Sequence, residues 1–189
     1  MTEHGMKPYL AGVGFATIFG FSFLFAKEAL DYVDPLRLLA FRFALAAVVV
    51  TALTLCGVVK VKLRGKDLRP LLRVALLQPV AYFVTETVGL RFVTSSQAGM
   101  MIALIPILVA IFSALFLKEK TTMTQWKFIL LSVSGVAVIV TMQNAGAEGA
   151  NLLGLLLLFC AVTAAALFNI VSREATGKFT PFEITFVMM

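Results

Sequence analysis

The chain has 189 residues, 60% of them hydrophobic and 14% charged, with a formal charge of +6 and a mean hydropathy of +0.98. A water-soluble domain of this length cannot bury so much apolar surface, which excludes a soluble enzyme or binding module. The positive charge does not point to nucleic acid either, because Lys and Arg lie between apolar runs and form no single basic face with interleaved aromatics.

Residues 8–26 form a first span of nineteen residues without a charge. In it Gly12, Ala16 and Gly20 recur at every fourth position and predict a small-residue packing face. An acidic turn at 31–35 leads to a second span, 36–59, with Arg37 at its mouth and Arg42 inside it. A basic loop follows, where Lys60, Lys62, Arg64, Lys66, Arg69 and Arg73 are opposed only by Asp67. The third span, 71–90, holds Gln78, Pro79, Tyr82 and Glu86. The fourth, 98–117, is close to the ~20 residues that a helix needs to cross a hydrocarbon core. The polar run 94–97 ahead of it reads as a turn. Pro106 falls in mid-span, where it removes a backbone donor and marks a weak point. Trp126 and Lys127 mark an interface before a fifth span ending near Met142, and a Gly/Ala-rich turn covers 143–151. The sixth span, 152–172, contains Asn169. A seventh apolar segment opens at Pro181 and reaches Met189 after nine residues, too few to cross as a helix, so the sequence reads as unfinished.

The bias of Lys and Arg among the loops orients these spans. With the amino-terminus in the cytoplasm, twelve basic residues fall inside (Lys7, the six of the second loop, Lys118, Lys120, Lys127, Arg173, Lys178) and three outside (Lys27, Arg37, Arg91). The expectation is a multi-pass protein of the plasma or inner membrane, with the lipid bilayer as its first partner. The two cysteines, Cys56 and Cys160, sit inside apolar runs and imply no disulfide framework, and no cleavable signal peptide is evident. His4 is the single histidine. No metal site, catalytic residue or cofactor is expected, nor is an enzyme: there are no His pairs, no CxxC, no phosphate loop and no nucleophile elbow.

Sliding the chain by 146 residues places Lys27, Glu28 and Ala29 on Arg173, Glu174 and Ala175, and Pro35 on Pro181. Five spans separate the two copies, so the second enters the membrane from the opposite side. Inverted repeats of this kind build transporters that rock around a midplane site.

Several of these features resemble the EamA-type family of the drug/metabolite transporter superfamily. They are the small and polar residues at 94–99, Pro106 in mid-helix, Glu119 after the fourth helix, Gln125 with Trp126, Gly135 in the fifth helix, and Arg42 within AFRFALAAVVV. The resemblance covers nearly the whole chain and is most specific in the fourth and fifth helices. It implies an all-α, polytopic transmembrane helix bundle of ten helices in two inverted halves. On that pattern 8–142 is the first five-helix repeat and 152–189 the start of the second, a sixth helix and a stub of the seventh. The chain departs from the pattern by lacking the last three helices and most of the seventh, so transport by this chain alone is not expected. Its first helix offers Phe19-Gly20 where the family often has Trp-Gly.

Ionisable groups inside a membrane default to functional hypotheses. Glu86 lies five residues before Arg91, and Arg42 seven past Pro35, depths of roughly 7 and 10 Å below the same interface at ~1.5 Å per residue. Matching depths predict a charge pair. Gln78, Tyr82 and Glu86, spaced by four, share one face of the third helix. The candidate substrate cavity is therefore Arg42, Gln78, Tyr82 and Glu86, with Asn169 lining it or bonding a neighbouring helix, and Pro79 and Pro106 as hinges. A structural ion pair between helices two and three stands beside a substrate or proton role. Glu119 is expected to pair with Lys118 or Lys120. The functional expectation is a secondary transporter that exports or exchanges a small metabolite or drug-like molecule by alternating access. The alternatives are a small multidrug-resistance-like, proton-coupled exporter working as an oligomer, or a non-transporting membrane assembly subunit. A homodimer is the assembly left open, and no nucleic-acid partner is expected.

Overall fold

The structure is a computed structural model that describes residues 6–59, 61–63, 65–119, 122–143 and 151–189, and among these described residues there are seven helices and their connections. His4, Lys60, Arg64, Lys120 and most of the turn expected at 143–151 lie outside the described residues. The first helix, α1, runs Met6–Ala29 and the second, α2, Pro35–Leu55. Pro35 stands in the first turn of α2, where its fixed φ favours the helix and its missing N–H is not needed. The span expected to reach residue 59 ends at Leu55, and Gly57 closes the following turn at φ 73°.

The third helix, α3, covers Arg69–Leu90, and within it Leu76–Tyr82 is a wider π-helical turn around Pro79. A proline ring clashes with the carbonyl four residues before it and offers no N–H, so the chain widens from Leu76, just past Ala75. Pro106 has a sharper effect on α4, which spans Ser95–Phe116. Regular helix stops at Ile102, four residues before the proline, and resumes at Ile105. The break thus sits at Ala103 and Leu104. The run 94–97 is not a turn. Thr94 caps α4 and Gln97 returns the bond to the Thr94 N–H, so Ser95, Ser96 and Gln97 already lie in the helix. The fifth helix, α5, covers Met123–Gln143, α6 Leu152–Thr176 and α7 Pro181–Met188.

Among the described residues five helices, α1, α2, α3, α4 and α6, are long and apolar enough to cross a membrane. The expected fifth span corresponds to α5, 21 residues long like α2. Large apolar side chains point outward from the helices, among them Ile18, Phe41, Leu45, Leu72 and Leu131. Such a surface is stable only against hydrocarbon, and the molecule is an all-α polytopic membrane bundle.

The core is organised by α6. It packs along all of α3 and against the second part of α4. Lipid gives no hydrophobic advantage to helix contact, so close approach through small residues has to hold the helices together. Ala161, Ala164, Ala165 and Ala166 supply that face on α6. Gly154 supplies the tightest point, where an added Cβ would come within 2.7 Å of Phe92 Cβ and 3.3 Å of Gly89 O. The packing face expected on α1 is not engaged among the described residues. Gly12, Ala16 and Gly20 are exposed, and nothing lies within 4 Å of a Cβ built on either glycine.

Helix ends meet in two groups. At one, Lys27 Nζ donates to the carbonyls of Leu90 (2.6 Å) and Val93 (2.9 Å), and Arg91 pairs with Asp34 at 3.6 Å. At the other, residues 62–73 and Glu119 meet residues 173–183 through Lys66–Glu183, Arg73–Glu174 and Arg173–Glu119. Glu119 therefore pairs with Arg173 of α6, at 2.6 Å; among the described residues it makes no pair with Lys118, and Lys120 lies outside them. Lys118 makes this reach available by adopting a left-handed φ of 55°, which turns the chain after α4.

Candidate functional site

The π-turn of α3 and the helix that follows set the site. Tyr82 ends the widened turn, and its hydroxyl donates to Glu86 Oε1 at 3.3 Å, one helical turn later. Both side chains are buried, Tyr82 at 2% exposure and Glu86 at 4%. The other carboxylate oxygen, Oε2, is buried without a hydrogen-bond partner, and so are Thr87 Oγ1 and Gln78 Oε1. Three unsatisfied polar atoms on one short stretch of a membrane helix are costly unless a ligand, water or ion meets them. Of the face expected from the four-residue spacing, Tyr82 and Glu86 are joined by a hydrogen bond, and Thr87 is a polar neighbour that spacing alone could not find.

Arg42 faces this stretch from α2. Its Nη2 donates to Ser22 Oγ of α1 at 3.3 Å, and its guanidinium carbon stands 5.5 Å from the centre of the Phe83 ring. It lines one small cavity together with Phe19, Ser22, Ala26, Phe83 and Glu86. The cavity measures about 10 Å³, room for one water. Arg42 and Glu86 thus share a cavity, but among the described residues no direct ion pair joins them. Arg42 is held by a hydroxyl and an aromatic face, and Glu86 by a phenol. A second space of about 130 Å³ opens on the other side of Arg42, against Phe43, Ala46, Phe83 and Met189. Phe43 and Phe83 meet edge to face there, at 5.4 Å between ring centres. The site so assembled joins a cation, a carboxylate, a phenol and aromatic walls between α1, α2 and α3.

Asn169 does not join this group. Its Nδ2 bonds back to Ala165 O of its own helix at 2.8 Å, and the residue is exposed. The neighbouring-helix bond considered for it is likewise not made. Ser22 is the residue that sequence reasoning missed at the Arg42 site, because a lone serine among Phe, Gly and Leu carries no pattern. A wider cavity lies elsewhere among the described residues. About 700 Å³ opens between the second part of α4, the start of α5 and the end of α6, lined by Pro106, Ser113, Glu119, Gln125, Phe128 and Arg173. Its two charges neutralise one another, and of the sequence candidates only Pro106 reaches it. The buried, unsatisfied carboxylate makes the smaller space the stronger site.

Residues 6–141 match a family profile described as the EamA-like transporter family. Over 189 residues the chain is 39% identical to a protein of Bacillus subtilis (strain 168) named Uncharacterized transporter YcxC, covering 100% of this chain and 61% of that protein. An Archaeoglobus fulgidus protein named Uncharacterized transporter is 26% identical over 180 residues, 95% of this chain and 62% of its own length. A second B. subtilis protein, Uncharacterized transporter YyaM, is 26% identical over 188 residues, with 95% and 60% covered. The chain thus spans about three-fifths of the length of these relatives. No solved structure matches it.

Proposed function

The chain belongs to the EamA-like transporter family, and from that premise we propose that it forms the first five-helix repeat, and the opening of the second, of a secondary transporter. That transporter moves a small metabolite or drug-like solute by alternating access. It lies in the plasma or inner membrane with its amino-terminus in the cytoplasm. The observation that carries the reading is the buried Glu86, bonded through one oxygen to Tyr82 and sharing a small cavity with Arg42 without a direct ion pair. A structural ion pair would close on itself, whereas two separated opposite charges leave bonding capacity for something that enters.

Each residue then has a role. Glu86 accepts a proton or a donor group of the solute, Arg42 attracts an acceptor group, and Tyr82 and Phe83 wall the apolar part. Gln78 offers a further acceptor one turn before Tyr82. Among the described residues Pro79 and Pro106 interrupt regular membrane helix at two places, as rocking halves require. The bounds of the helices support the repeat. Moved by 146 positions, Ala29, the last residue of α1, falls one position before Thr176, the last of α6, and Pro35 falls on Pro181, the first residue of α7.

The test is counterflow in proteoliposomes loaded with a defined mixture of small metabolites, with solute loss followed by mass spectrometry. The chain is reconstituted alone, and also with the part of the YcxC relative, about two-fifths of its length, that the similarity leaves unmatched. At least one solute is expected to leave faster than from empty liposomes in the second preparation. Glu86→Gln should slow that loss by tenfold or more, and equal loss from all preparations would overturn the proposal.

A further inference from the structure

Three helices of this chain start with the same reciprocal cap: Thr94 with Gln97, Thr122 with Gln125, and Thr180 with Glu183. In two of them a neutral glutamine completes the cap, so capping does not require a carboxylate at position 183. Glu183 nevertheless is one, and it is only 2% exposed. What covers it is the loop between α2 and α3. Lys66 Nζ stands 2.9 Å from both carboxylate oxygens, and the Lys62 N–H donates to Oε1 at 3.0 Å. The Lys66 ammonium also lies 5.0 Å from the centre of the Phe179 ring. Leu63 packs on the cluster of Leu71, Val74, Ala175, Phe179 and Ile184 beneath. A non-helical strap from the first repeat is thereby closed over the corner between α6 and α7.

We propose that this strap is the cytoplasmic latch of the molecule: Lys66 on Glu183 holds the facing ends of α3, α6 and α7 together, and its release lets them part about the Gly89–Gly154 contact as a fulcrum. The proposal rests on the transporter reading above. It follows from the different construction of the two ends of the α3–α6 contact. At the strap end, three ion pairs cross between the segments, and those of Arg73 with Glu174 and Arg173 with Glu119 are half exposed. Water takes over such charges once they separate, so opening there costs little. At the far end Gly89 and Gly154 bring the two backbones into contact, with Phe92, Val93 and Leu158 against them. The side chains against that contact are apolar and gain nothing from water on parting, so the contact stays closed while the strap end moves.

The experiment uses membrane vesicles of known sidedness, the full chain with Cys56→Ala and Cys160→Ala, and a reporter cysteine labelled by a membrane-impermeant maleimide. Val74→Cys, fully buried under the strap, reads the latch, and Leu158→Cys, equally buried at the fulcrum, reads the rest of the bundle. Glu183→Gln keeps the cap, and Lys66→Met leaves Glu183 untouched. Either variant is expected to speed cytoplasmic labelling of the Val74→Cys reporter at least tenfold, with the Leu158→Cys reporter unchanged. Unchanged labelling at both reporters would overturn the latch, and so would accelerated labelling at both, which is loss of the bundle and not release of a strap. Labelling needs no transported solute. A failed counterflow assay therefore overturns the function proposed above and leaves this result to be judged separately.

Discussion

Arg42 and Glu86 illustrate how a membrane protein can hold opposite charges near one another without letting them collapse. Ser22 and Phe83 take up the guanidinium, and Tyr82 takes one carboxylate oxygen. Because they share a cavity only one water wide, removing either charge leaves the other with less to oppose it. Thermal unfolding in detergent of Glu86→Gln, Arg42→Met and the double variant should show the double less damaged than the sum of the singles. The expected coupling is about 0.5–3 kcal/mol, and a smaller value is that of independent sites. Glu183 offers a second test at this scale, outside the five spans. The Thr180 N–H first, and then Lys66, hold its carboxyl down at about 2 against an ordinary 4.5. A carboxyl lowered in the folded state adds stability that is fully present above pH about 4.5 and is lost as pH falls toward 2. The melting temperature should therefore drop more steeply between those limits in the parent than in Glu183→Gln, and parallel curves would contradict the pairing. The i, i+4 spacing made Tyr82 and Glu86 legible in the sequence. Lys66 on Glu183 and Ser22 on Arg42 were not legible, because they join residues 117 and 20 positions apart with no pattern between them.

The helices show the same division between local rules and packing. Pro79 and Pro106 announced two interruptions, and the clash with the carbonyl four residues earlier places them, at Leu76 and after Ile102. Why one widens to a π-turn and the other breaks outright depends on neighbours, and the sequence does not carry that. The small residues of α1 were legible as a stripe, yet the contact that the bundle uses is Gly89 with Gly154. A single glycine on each of two distant helices has no periodicity to read. Gly154→Ala would press a Cβ against Phe92 and Val93 at 2.7 Å. That substitution is expected to cost about 1–3 kcal/mol, as overpacking does. Gly12→Ala, with nothing within 4 Å, should leave stability unchanged or raise it by up to about 1 kcal/mol. Melting curves of the two variants side by side check this, and an equal response would mean that α3 and α6 do not meet as described.

At the scale of the molecule, hydropathy and loop charge made the fold class legible, because a chain this apolar has few ways to satisfy its backbone. The order in which helix ends meet agrees with spans that cross alternately: 27–34 with 90–93 at one end, and 62–73 with 119 and 173–183 at the other. The inverted repeat is the claim on which the transport mechanism, the latch and the fulcrum all depend. Tyr32 and Lys178 are 146 residues apart, both exposed, and occupy equivalent turns after α1 and α6. The direct measurement is labelling of Tyr32→Cys and Lys178→Cys, each alone in the chain lacking Cys56 and Cys160, by an impermeant maleimide from each side of oriented vesicles. An inverted pair predicts that Tyr32→Cys is labelled only from outside and Lys178→Cys only from the cytoplasm. Labelling of both from the same side would contradict it.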